Sequence, residues 1–169
     1  RKMNARTFIT LFLCTALTML QSCKSGQSND IVAENFNFAA QQLQYAIDLT
    51  TEAISKDTRD SARRASRPLV SPRTLEKDGS LKVVTAHDWT SGFFPGELWF
   101  MYEMTNDPAW EERARKFTEP LQVLRYHTGT HDLGFMMYNS FGNGLRLTGD
   151  QEYREILLDA ARSLATRYK

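Results

Sequence analysis

Residues 104–121 read MTNDPAWEERARKFTEPL, and residues 147–164 read LTGDQEYREILLDAARSL. The two stretches align without a gap at an offset of 43 residues, placing Asp107 on Asp150 and Thr105 on Thr148. The apolar positions Trp110, Ala114, Phe117 and Leu121 fall on Tyr153, Leu157, Ala160 and Leu164, and each set steps by four or three residues, as one face of a helix does. Asp107 and Asp150 are suited to cap these helices, and Pro108 suits a first helical turn. Another helix is expected ahead of each, beginning near Phe93 and near Leu133. An aspartate precedes each of those: Asp88 and Asp132, offset by 44. The unit is therefore an aspartate motif, a helix, a short turn and a second helix, an αα-hairpin that recurs about every 43 residues.

The two helices of each unit differ in kind. Those after the aspartate motifs are rich in glycine, aromatics and methionine, whereas those after Asp107 and Asp150 carry Glu, Arg and Lys on one face. That division suits an inner and an outer layer, so the expected fold class is all-α, an α/α toroid. Two complete hairpins and a preceding long helix are too few to close a six-hairpin barrel, so residues 32–169 read as the N-terminal part of such a domain.

That preceding helix is marked by Val32, Phe36, Ala39, Leu43, Ile47, Thr50 and Ile54, with Asn29 or Asp30 able to cap it. From Lys56 to His87 the pattern breaks. Pro68, Pro72, Gly79 and several charges read as a long loop, with Leu81 to Thr85 at most a short strand.

The first 22 residues read as a targeting segment. Arg1, Lys2 and Arg6 precede an uncharged run of 13 residues from Phe8 to Leu20, too short to span a bilayer and suited to a signal peptide. It ends in Leu20-Gln21-Ser22-Cys23, which resembles a bacterial lipoprotein box. Cys23 would then carry lipid, residues 23–31 would form a tether, and the protein would be anchored in the cell envelope. The other cysteine, Cys14, lies within the apolar run, so the mature chain holds no disulfide framework. The formal charge of +1 comes from the leader; from Cys23 onward 18 basic residues face 20 acidic ones. That balance gives no reason to expect a nucleic-acid partner.

The motif around Asp88 reads Asp-Trp-Thr-Ser-Gly-Phe-Phe-Pro-Gly-Glu-Leu-Trp through Trp99, and that around Asp132 reads Thr-His-Asp-Leu-Gly-Phe through Phe135. With Met101-Tyr102-Glu103, and with Pro72-Arg73-Thr74 and Asp78-Gly79 upstream, these motifs resemble glycoside hydrolase family 88, the unsaturated glucuronyl hydrolases. The resemblance covers roughly residues 32 to 169 and implies an α/α six-hairpin barrel. It also implies action on oligosaccharides left by polysaccharide lyases, which end in a 4,5-unsaturated uronate. A carboxylic acid protonates the double bond, water adds, and the resulting hemiketal opens and sheds the next sugar. No metal or organic cofactor is implied.

By the same resemblance Asp132 matches an essential aspartate and Trp89 an aromatic packed on the unsaturated ring. From the residues alone, Asp132 is equally an N-cap for the helix that follows, and Trp89 a core residue. His131 is a candidate to orient Asp132 or contact substrate, or else a structural histidine. Asp88 reads mainly as a cap and secondly as a substrate contact. Arg73 reads as a solvated loop residue or a partner for a substrate carboxylate or sulfate. The family's general acid/base is a second aspartate beyond Lys169, and Asp150 is explained as a cap instead. The residues from 1 to 169 alone are therefore expected to be inactive. His127 and His131 have a spacing seen in metal sites, but the segment around Gly129 reads as a loop without a third ligand. Two other readings are an unsaturated rhamnogalacturonyl hydrolase and a non-catalytic carbohydrate-binding surface lipoprotein.

Overall fold

The computed structural model describes residues 26–168. The leader and Cys23 lie outside the described residues. Contacts divide the chain into two units, Arg1–Ala39 and Ala40–Lys169. The repeat and both motifs belong to the second.

Helix α1 spans Gly26–Ser55. It begins ahead of Asn29 and Asp30, so neither caps it, and part of the expected tether is helical. From 27 to 55 the sequence contains neither proline nor glycine, and nothing interrupts the helix. Its stripe is buried only toward the end, at Ile47 and Thr50, while Val32 is exposed.

The stretch read as a loop is largely ordered into regular elements. Asp60 caps the short helix α2 (Ser61–Ser66), accepting from the Arg63 amide at 2.9 Å. Strands β1 (Leu69–Leu75) and β2 (Leu81–Thr85) form an antiparallel hairpin in which Pro72 faces Val83. Pro72 had argued against a strand. A two-stranded ribbon has only edge strands, where the missing N–H is tolerated.

Helices α3 (Phe93–Thr105) and α4 (Pro108–Thr118) make the first αα-hairpin. The second runs through α5 (Leu133–Met137), a π-helical turn (Tyr138–Gly142), α6 (Asn143–Thr148) and α7 (Gln151–Ala165). The repeat is visible in its details. Asn106 and Gly149 both take left-handed backbone, with φ of 54° and 72°, and end their helices with backbone N–H groups that donate hydrogen bonds to the carbonyls of Tyr102 and Leu145. Asp107 accepts from the Ala109 amide, and Asp150 from those of Glu152 and Tyr153. The copies differ at Pro120, which stands where the second has Ser163. Proline cannot donate to the preceding turn, so α4 gives way to a 3-10 helix, Glu119–Leu124, whereas α7 continues to Ala165.

The core is built between the hairpins. Leu98, Trp99, Leu121, Leu124, Leu133, Met136 and Phe141 are all fully buried. Each such side chain stabilises the fold by roughly 1.5–3 kcal/mol. The indole N–H of Trp99 donates to the Thr118 hydroxyl at 3.0 Å, so its burial leaves no polar group unpaired. Arg115 then ties the outer helices, reaching Glu111 on α4 at 2.9 Å and the α7 cap Asp150 at 2.8 Å.

The inner helices meet through residues about one repeat apart. A Cβ on Gly92 would lie 2.2 Å from the Met136 carbonyl oxygen, and one on Gly96 would lie 2.9 Å from that of Asn139. Farther along, Glu103 pairs with Arg146. The contacts advance together along both helices, so α3 and the 133–148 helix run side by side in the same direction. Both aspartate motifs are thereby brought to the same end. On the far side of the second hairpin an apolar groove of about 350 Å3 lies among Leu133, Met137, Leu145, Leu157, Ala161 and Leu164.

Candidate active site

Asp88 is not a helix cap. Helix α3 starts five residues later, with Gly92 at the cap position. One Asp88 oxygen accepts from the amide and hydroxyl of Thr90, at 3.0 and 2.7 Å, which closes a local turn. The other accepts from Arg73 at 2.7 Å. The hairpin thus delivers Arg73 to the first motif, and its charge is already matched there.

Asp132 does stand at the start of a helix, but its side chain makes no capping bond. Its backbone N–H donates to the Thr130 hydroxyl at 3.0 Å, and that hydroxyl donates to Oδ2 at 3.1 Å. His131 Nε2 lies 3.4 Å from Oδ1, with the His131 side chain 83% exposed and that of Asp132 22%. Asp60, Asp107 and Asp150 use their carboxylates on helix amides; that of Asp132 makes no such bond and is held by Thr130 instead.

Trp89 is 48% exposed and not a core residue. Its ring meets Phe93 edge-on at 5.9 Å, and Phe93 stacks on Phe135 at 6.2 Å with 26° between planes. Phe93 and Phe135 are themselves exposed. Three surface rings thus form a continuous apolar ledge that joins the first motif to the second. Phe135 follows Asp132 by one turn, its amide donating to the Asp132 carbonyl at 2.9 Å. Beside the ledge a groove of about 370 Å3 runs under the hairpin, lined by Arg73, Leu75, Thr90, Phe93 and Glu97. Glu97 is exposed by area, yet the surrounding protein desolvates its carboxyl and pushes it above the ordinary carboxylate range.

Arg73 is thus brought to Asp88, and His131 to Asp132. Within the described residues no hydrogen bond joins the two pairs; the aromatic ledge is what connects them. Phe93, Phe135 and Glu97 were missed as site residues. Both phenylalanines stood in the motifs, each after glycine, but a phenylalanine at a helix start does not announce exposure. His127 pairs not with His131 but with His87, the rings 5.3 Å apart. Among the described residues no group of three or more metal-ligating side chains is gathered.

Alternating inner and outer helices, with both motifs at one end of the inner pair, define an α/α toroid architecture. No family model matches the chain. An unsaturated glucuronyl hydrolase of Formosa agariphila is 42% identical over 86 residues, covering 50% of this chain and 22% of that enzyme. An unsaturated chondroitin disaccharide hydrolase of Streptococcus pneumoniae is 34% identical over 102 residues, 58% of this chain and 26% of that enzyme. Among solved structures, an unsaturated glucuronyl hydrolase specific for heparin matches 78% of this chain and 33% of its own, with a TM-score of 0.59 and 36% identity. A mutant of the Streptococcus agalactiae enzyme, complexed with dGlcA-GalNAc6S, matches 81% of this chain and 33% of its own at a TM-score of 0.62 and 26% identity. The chain therefore spans about a quarter of these curated relatives and a third of the solved ones. Over the stretch it spans, the chain is similar in sequence and fold to unsaturated glucuronyl hydrolases.

Proposed function

We propose that the protein to which this chain belongs hydrolyses unsaturated uronyl oligosaccharides released by polysaccharide lyases. The observation that carries this reading is the Asp132 carboxylate, free of capping duty, one turn ahead of an exposed aromatic ledge. Sugar rings present apolar faces to aromatic rings and hydroxyls to carboxylates, and both surfaces are here. The structural relative complexed with dGlcA-GalNAc6S supports a substrate of this class.

In this reading the unsaturated uronate lies against Trp89 and its neighbours. Asp132 holds a substrate hydroxyl or the attacking water, with His131 beside it. A carboxylic acid protonates C4 of the enol ether, water adds at C5, and the hemiketal opens to release the next sugar. Two-carboxylate distance rules for ordinary glycosidases do not apply, because the reaction begins at the alkene.

Loss of the ultraviolet absorbance of the unsaturated uronate tests this reading. The protein expressed from its complete gene is expected to bleach lyase-generated disaccharides, and Asp132→Asn to abolish that. No bleaching of any unsaturated disaccharide by wild type overturns it; retained sugar binding would then favour a glycan-binding role. Cys23, in its lipoprotein-box context, supports lipid anchoring in the cell envelope. Incorporation of labelled fatty acid that disappears in Cys23→Ser is the expected result.

A further inference from the structure

The loop that delivers Asp132 is folded around one ring. The His127 amide donates to the Leu124 carbonyl at 2.8 Å. Two residues later Gly129 passes so close that a Cβ there would lie 2.8 Å from Cε1 and 2.9 Å from Nε2 of the His127 imidazole. Any other residue at 129 would have to displace the ring. Arg167, just past α7, donates to the Thr128 carbonyl at 2.7 Å and ties the same loop from outside.

His127 also meets His87, with ring centroids 5.3 Å apart and planes at 87°. His87 directly precedes Asp88 and Trp89. Its Nδ1 is buried and has no hydrogen-bond partner among the described residues. An orphaned buried nitrogen is costly, and a ring kept that way is held by packing.

We propose that the perpendicular His87–His127 contact is a positioning clasp, fixing the loop of Asp88 and Trp89 against the loop of Asp132. It thereby sets the gap across which the sugar ring lies, a consequence that rests on the function proposed above. Burial, Arg67 and His127 all hold the His87 imidazole below its ordinary value, while the Asp88 carboxylate is engaged by Arg73 and Thr90.

The test uses the protein from its complete gene, with His127→Ala and His127→Phe. Phenylalanine keeps a ring for His87 and Gly129 to pack on but has no nitrogen. His127→Ala is expected to lower kcat/KM about tenfold or more, as misplacement of a reacting group does, and to speed amide exchange at residues 85–92 and 125–136. His127→Phe is expected to restore both and to raise the titration of the His87 ring carbons in NMR, because a basic neighbour is gone. Wild-type turnover and exchange in His127→Ala would overturn the proposal. So would a His127→Phe protein with protected loops but alanine-like kcat/KM, since the imidazole itself would then be required. Should wild type not turn over unsaturated disaccharides, the proposed function falls, and exchange in the two loops still decides the clasp.

Discussion

Glu103 and Arg146 occupy the same place in successive repeats and hold each other by two parallel hydrogen bonds, 2.6 and 2.7 Å long. Both side chains are partly exposed, 39% and 47%, so the pair serves register more than stability. Arg146 holds the Glu103 carboxyl below its ordinary value of 4.5. A carboxyl lowered by folding contributes stability above its unfolded value and loses it as pH falls through the folded one. Glu103→Gln is therefore expected to lower Tm slightly at neutral pH, by about 2 °C or less, and to make no difference well below pH 4. Swapping the charges, Glu103→Arg with Arg146→Glu, should restore the Tm. A Glu103→Gln deficit that persists in strong acid would count against the pairing.

Gly92 and Gly96 test the close approach of the inner helices. Alanine is favoured over glycine within a helix by about 1 kcal/mol, so Gly96→Ala gains propensity while meeting the Asn139 carbonyl. Gly92→Ala stands at the cap position and meets a backbone oxygen at 2.2 Å, which no rotamer relieves. It is expected to cost roughly 1–3 kcal/mol, and more than Gly96→Ala. Urea unfolding of both variants measures this; an equal or smaller loss at Gly92 would contradict the geometry.

Asp132 and Asp150 look alike in sequence and are expected to fail differently. Asp150→Ala removes a cap and the partner of Arg115, and should destabilise by about 1–2 kcal/mol. Asp132→Asn breaks no helix cap, so its Tm should stay within about 1 °C of wild type while turnover disappears. Thermal unfolding beside the absorbance assay separates the two, and a large loss of Tm in Asp132→Asn would return that residue to a structural role.

The aromatic ledge predicts effects on binding. Phe135→Ala and Trp89→Ala remove exposed rings, so the fold should tolerate them. Each is expected to raise KM or Kd for the unsaturated disaccharide about tenfold, the scale of one lost aromatic contact. Calorimetric titration giving unchanged affinity in both would remove the ledge from the site.

The repeat was legible because equivalent residues do equivalent work. Asp107 and Asp150 cap, and Trp110 and Tyr153 are both buried. Strand β2 was visible as the short run Leu81–Thr85, but its partner β1 was not, because a strand interrupted by Pro72 carries no alternation and the two lie across a turn at Gly79. Asp88 and Asp132 share a position in the repeat, but the lengths of chain before α3 and α5 differ. Sequence offset could not tell a turn-closing aspartate beside Arg73 from an uncapping one beside Thr130. His127 was visible only as a neighbour of His131 in sequence, and its contact with His87 crosses from one repeat to the other.

The glycine contacts of the inner helices have a consequence for how such a site could evolve. Where α3 approaches the 133–148 helix, backbone lies against backbone, and the separation of the two helices there does not depend on the Phe93 and Phe135 rings that project from them. Phe93 and Phe135 can thus be exchanged for other side chains without the scaffold having to readjust. Divergence in the sugar that is held would proceed at the ledge, one ring at a time, while Gly92 and Gly96 remain fixed.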